Sequence, residues 1–159
     1  MQYSQDKIKK NLLIVSHSQG GKTEAMAAAV MEGCQQEIAV LTRSLKAADA
    51  TLDDLLWANG LIFGTPENFG TMSGMLKDFF DRTFYPAEPY KINLPYVIFI
   101  GCGNDGTGAA RDIRRIVNGY PLREVSEPLI CKGALEDSHL VACKELGLTM
   151  AMGLEMGIF

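Results

Sequence analysis

Short apolar runs alternate with longer stretches of helical periodicity along this chain, and that alternation is the pattern of an α/β domain built on a parallel sheet. The runs lie at residues 12–16, 38–42, 61–64, 96–100 and 122–130, which makes about five strands. The first leads into a helix over about 23–31 that stops near Gly33. The second alternates apolar and polar residues, as an edge strand with one less buried face does. Asp53 and Asp54 open a short helix through Trp57, closed by Asn59-Gly60. Met72, Met75, Leu76, Phe79, Phe80 and Thr83 recur at helical spacing, with Lys77, Asp78, Asp81 and Arg82 opposite, which predicts a strongly amphipathic helix. Pro86 and Pro89 then mark a loop. The run 96–100 is the most uniformly apolar and suits a central strand. A helix follows with Ala110, Ile113, Ile116 and Val117 on one face, ended by Asn118-Gly119. The run 122–130 is more polar and carries Pro128, which suits a last strand at the other edge. Ser138 is expected to cap a final helix in which Leu140, Cys143, Leu146 and Met150 keep the period, while Gly147, Gly153 and Gly157 weaken it.

At 159 residues the chain has the length of one domain and can bury a core without disulfides or metal. The four cysteines, Cys34, Cys102, Cys131 and Cys143, form no Cys-x-x-Cys pair, so neither a zinc site nor a dithiol motif is expected. They read as small apolar residues of a reducing compartment. Residues 1–10 are polar and charged, and the apolar run behind them is too short for a signal peptide or a membrane span; the expectation is a cytoplasmic protein with no membrane partner. A formal net charge of −4 disfavours nucleic acid.

In a parallel sheet, ligands bind beyond the carboxyl ends of the strands. Three such loops, 16–23, 65–74 and 101–108, are rich in glycine, small hydroxyl residues or amide side chains. In the first, Ser18, Gln19, Gly20, Gly21, Lys22, Thr23 and Glu24 join an apolar run to a helix, which leaves unpaired N–H groups at the positive end of the helix dipole. That is a seat for phosphate. Two molecules compete for it, a nucleoside triphosphate and a flavin mononucleotide. Gly21-Lys22-Thr23 suits the first, but a Walker A motif needs glycine where Ser16 stands, and no neighbouring strand ends in an acid for magnesium.

The second loop, Gly64-Thr65-Pro66-Glu67-Asn68-Phe69-Gly70-Thr71-Met72, runs into Leu76-Lys77-Asp78-Phe79-Phe80-Asp81-Arg82-Thr83. This stretch closely resembles flavodoxin-like FMN proteins, in particular NAD(P)H:quinone oxidoreductases of the tryptophan-repressor-binding-protein type and NADPH-dependent FMN reductases. The resemblance covers about residues 12–116 and continues beyond them by element pattern. It implies a flavodoxin-like three-layer sandwich with a five-stranded parallel sheet, one FMN-binding domain over residues 1–159, and a loosely ordered extension at 1–10. Carried over by position, Ser18, Gln19, Gly20, Gly21, Lys22 and Thr23 would wrap the FMN phosphate, Lys22 as an optional contact. Pro66, Glu67, Asn68 and Phe69 would lie along the ribityl chain and one side of the isoalloxazine. Cys102, Gly103, Asn104, Asp105 and Gly106 would line the other edge, Cys102 through its backbone.

Two departures stand out. Flavodoxins usually stack an aromatic from the third loop on the ring, and residues 101–110 contain none. The larger quinone reductases carry extra sequence and a histidine in that region, and this chain has neither. The ring is therefore expected to be open on one face or covered by another subunit, in a homodimer or homotetramer. The function implied is transfer of electrons from NAD(P)H to a quinone, flavin or similar acceptor, with small-molecule donor and acceptor and no catalytic side chain. A flavodoxin-type carrier without turnover of its own is the alternative, and a small P-loop NTPase the third reading.

Overall fold

The computed structural model describes residues 8–159. Of the expected N-terminal extension, residues 1–7 lie outside the described residues, and Lys10 already opens a strand. The elements follow in the order β1 (Lys10–Ser16), α1 (Lys22–Gln35), β2 (Val40–Lys46), α2 (Leu52–Trp57), β3 (Gly60–Pro66), α3 (Gly74–Ala87), a short 3-10 turn (Glu88–Tyr90), β4 (Pro95–Cys102), α4 (Thr107–Val117), β5 (Arg123–Glu124), β6 (Leu129–Lys132) and α5 (Asp137–Met156).

All the pairings are parallel, and the spatial order is β2-β1-β3-β4-β5, with β6 also beside β4. This is the flavodoxin-like doubly wound order, which reverses direction between β1 and β3 and opens a crevice there. Side chains alternate across the sheet. Leu13, Val15, Phe63 and Ile98 face α2, α3 and α4, while Leu12, Ile14, Ile62 and Phe99 face α1 and α5. Helices on both faces give the expected three-layer sandwich. They also explain why β1, β3 and β4 read as continuous apolar runs.

Several elements differ from the sequence expectation. The second strand is Val40–Lys46, not 38–42; Glu37 accepts the Ala39 N–H on its side chain and that of Val40 on its carbonyl, and this turn leaves Ile38 exposed. The expected strand 122–130 is two strands on one flank of β4. Arg123 and Glu124 pair with Pro95 and Tyr96, then residues 129–132 pair with 99–102. Pro128 has no N–H to give the ladder, so pairing resumes only after it. Gly33 does not end α1: a Cβ there would lie 2.0 Å from the Lys144 carbonyl oxygen, and one on Gly147 would lie 2.1 Å from that of Val30. These glycines let the backbones of α1 and α5 touch. The cap of α5 is Glu136 rather than Ser138, and the Glu136 N–H donates to His139 Nδ1 at 3.1 Å. Gly147 and Gly153 are both helical, and the helix closes at Gly157, whose φ of +69° is left-handed. Pro86 sits in the last turn of α3, not in a loop.

Candidate functional site at the carboxyl edge of the sheet

Three loops leave the carboxyl ends of β1, β3 and β4. In the first, the Gly21 N–H donates to Ser18 Oγ at 3.1 Å, and Gly21 takes a φ of +91° as the N-cap of α1. Among the described residues no side chain caps α1, so its first-turn amides keep their protons for an outside acceptor. A Cβ on Gly20 or Gly21 would meet nothing within 4 Å, so the space in front of these amides is open. The chemistry of this donor set fits a phosphate.

Lys22 does not extend its charge into that space. Its ammonium reaches across the sheet to the carbonyls of Cys131, at 2.8 Å, and Gly133. Thr23 is buried. The Lys22 side chain is thus engaged in the fold, while the Thr23 hydroxyl makes no hydrogen bond among the described residues. The Lys22 strap is missed in the sequence because the partners are backbone carbonyls more than a hundred residues away.

The second loop extends β3, with the Glu67 N–H donating to the Gly101 carbonyl at 3.0 Å. Asn68 and Thr71 then exchange both backbone hydrogen bonds, at 2.8 and 3.0 Å, around Phe69 and Gly70. Positive φ at both central residues, +52° and +75°, identifies a type I′ turn. The turn holds Phe69 fully exposed at its tip. Two small hydroxyl residues brace the loop from below. Thr65 Oγ1 accepts from the Ser73 N–H at 2.9 Å and donates to the Pro66 carbonyl, and Ser73 Oγ caps α3 through the Leu76 N–H.

In the third loop, Cys102 and Gly106 are buried, while Gly103, Asn104 and Asp105 are exposed. The Cys102 thiol donates to the Asn104 carbonyl at 3.3 Å. Burial, and then the Glu67 carboxylate, push it above the ordinary thiol range, so it is no thiolate nucleophile. Asp105 Oδ1 accepts from both the hydroxyl, at 2.7 Å, and the N–H of Thr107 at 3.0 Å, which holds its carboxyl below the usual range and fixes the entry to α4.

The loops touch one another. Asn68 Nδ2 donates to Gln19 Oε1 at 2.9 Å, joining the first to the second. A Cβ on Gly108 would lie 1.9 Å from the Gly70 carbonyl oxygen, so the second rests on the start of α4 only because Gly108 lacks a side chain. Ser18, Gln19, Gly20 and Gly21 thus face the same edge as Pro66, Glu67, Asn68, Phe69, Gly103, Asn104 and Asp105. A planar group with a phosphate tail matches this arrangement, with anion donors at one end and amides and an aromatic at the other.

The sequence model of the family described as NADPH-dependent FMN reductase matches residues 10–128. A protein of Aquifex aeolicus named flavodoxin is 37% identical over 70 residues, covering 44% of this chain and 38% of that one. An NAD(P)H dehydrogenase (quinone) of Acidithiobacillus ferrooxidans is 35% identical over 92 residues, 45% of this chain and 46% of its own. The chain spans less than half the length of these curated relatives. A solved archaeal flavodoxin superposes with a TM-score of 0.78 at 23% identity, covering 91% of this chain and 99% of that one. A flavodoxin, WrbA-like protein from Agrobacterium tumefaciens gives 0.78 at 20% identity, with coverage of 93% and 99%.

Proposed function

The chain belongs to the NADPH-dependent FMN reductase family, and on that footing we propose that it is a one-domain oxidoreductase holding FMN at this edge and passing electrons from NAD(P)H to a quinone, a flavin or a similar acceptor. One observation carries the reading: the uncapped first turn of α1 opens onto free space beside two loops that supply amides and an exposed aromatic. Ser18, Gln19, Gly20 and Gly21, with the amides of Lys22 and Thr23, hold the phosphate. Pro66, Glu67, Asn68 and Phe69 follow the ribityl chain and one side of the ring. Gly103, Asn104 and Asp105 line the other edge, with Cys102 and Gly106 beneath them as backbone.

When bound, FMN supplies the hydride and electron chemistry; the chain orients it and controls access. Phe69 excludes water from one side of the ring, and its type I′ turn fixes where that side lies. The carboxylates of Glu67 and Asp105 oppose added negative charge on the ring and so lower its potential. With no aromatic in residues 103–108 to stack on it, the other side is open to donor and acceptor, or to a second copy of the chain in a homodimer or homotetramer.

A flavodoxin-type carrier is the second reading, supported by the similarity to a protein of that name. The two separate on one preparation. Purified protein incubated with excess FMN and desalted is expected to be yellow, and NADPH or NADH is expected to bleach it under anaerobic conditions. A colourless protein defeats both readings, whereas a yellow protein that neither nucleotide bleaches leaves the carrier.

A further inference from the structure

A second cleft, of about 360 Å³, shares Ser18 with the phosphate seat and is lined by the carboxyl ends of β1 and β2. Ser16, His17 and Ser18 form one wall, Glu24 stands on the first turn of α1, Lys46 ends β2, and Met75 comes from the start of α3. Ser18 belongs to both places, since its Oγ accepts the Gly21 N–H inside the seat. Among the described residues the side chains of His17, Glu24 and Lys46 form no hydrogen bond or ion pair. Lys46 and Glu24 therefore line one cavity with opposite charges and do not close it.

We propose that this cleft seats the adenosine monophosphate half of a dinucleotide joined to the phosphate in the α1 seat, so that the chain accepts FAD as well as FMN. The inference rests on the flavin reading above. Its chemistry is that of a nucleotide: an ammonium for the second phosphate, a carboxylate and an imidazole for the ribose hydroxyls, and the apolar surface of Met75 for the base. Its geometry follows from strand order. Along the carboxyl edge the sequence of strands is β2, β1, β3, β4, which places in line the cleft, the phosphate seat, the ribityl loop and the ring loop. FAD is connected in the same order, adenosine, diphosphate, ribityl, ring. The anhydride bridge that joins its two phosphates leaves the seat past Gly20, where a Cβ would find nothing within 4 Å. The adenylate half of NAD(P)H has the same chemistry, but with FMN in place its nicotinamide would have to pass over the occupied phosphate seat to reach the ring.

The test is titration of flavin-free protein with FMN and with FAD, followed by flavin fluorescence, on wild type, Lys46→Glu and Ala48→Trp. Ala48 also lines the cleft, and an indole there fills it. Both flavins are expected to bind wild type. Each variant is expected to weaken FAD roughly tenfold or more and to leave FMN within about twofold, which also shows that the variant is folded. The KM for NADPH of FMN-loaded protein is expected to stay unchanged. If FMN binds and FAD does not, or if the variants weaken both alike, the inference is overturned and the FMN reading stands. If FAD affinity is unmoved and the KM for NADPH rises, the cleft belongs to the donor and the FAD assignment is overturned. Failure of both flavins to bind removes the function reading itself.

Discussion

An ammonium in the first turn of a helix lies at the wrong end of the dipole, and Lys22 on α1 is relieved of that position by reaching the carbonyls at the end of β6. The contact ties the phosphate seat to the far edge of the sheet. Lys22→Met is expected to cost roughly 1–3 kcal/mol in urea unfolding, because two charge-assisted hydrogen bonds are lost. Its FMN affinity should change far less than that of Gly21→Val, which both strains a left-handed backbone and fills the seat. A second residue-scale case is Glu124. Arg114 donates to both of its carboxylate oxygens at 2.5 Å, and Tyr96 adds a bond at 3.2 Å. The guanidinium holds the Glu124 carboxyl below its ordinary value. A depressed carboxylate contributes stability that is present above the unfolded value, about 4.3, and is lost as pH falls through the folded one. Wild type is therefore expected to exceed Glu124→Gln by about 1 kcal/mol at neutral pH, since the pair is partly exposed. Thermal melts across pH 2.5–7 are expected to show that gap closing only below about pH 4.

At the scale of elements, the contact of α1 with α5 depends on two missing side chains. Alanine in the middle of an ordinary helix gains about 1 kcal/mol over glycine. At Gly147 the sign reverses, because the new Cβ would sit 2.1 Å from the Val30 carbonyl oxygen, a backbone atom that cannot rotate away. Gly147→Ala is expected to lose about 3 kcal/mol, read as a lower urea midpoint at unchanged slope. Gly74→Ala, whose Cβ meets nothing within 4 Å, is expected to lose nothing. This pair also marks where the sequence stops being informative. Strands buried on both faces, β1, β3 and β4, announce themselves as apolar runs, and the stripe of α3 does so by its period. A glycine that admits a neighbouring helix looks the same in sequence as one that ends its own, and so Gly33 reads as a stop. The edge strand β2 is displaced for a related reason: with one face half-solvated, the turn at 37–39 decides its start rather than its hydrophobicity. In the site, the glycine loops are legible by composition. The direction of the Lys22 side chain and the Gln19–Asn68 bond are not, since they join positions 109 and 49 residues apart in the chain.

Across the whole molecule, few contacts among the described residues join those loops, chiefly one side-chain hydrogen bond between the first and second, and a backbone hydrogen bond and a glycine contact between the second and third. A ligand that touches all three therefore binds the folded chain and has nothing comparable to bind in the unfolded one. Stability then rises as RT ln(1 + [L]/Kd), about 2.7 kcal/mol when free ligand is a hundred times Kd. For a chain of this size 1 kcal/mol moves Tm by about 2–4 °C, so saturating FMN is expected to raise Tm by roughly 5–10 °C. Riboflavin separates the contributions, since it carries the ring and ribityl chain without the phosphate. If the first turn of α1 holds the phosphate, riboflavin at equal concentration is expected to give a much smaller rise, and Gly21→Val should bring FMN down to the riboflavin value while leaving riboflavin nearly unaffected. Equal shifts from the two flavins in wild type would take the phosphate out of the α1 seat. A shift from neither would mean that the three loops do not act as one site.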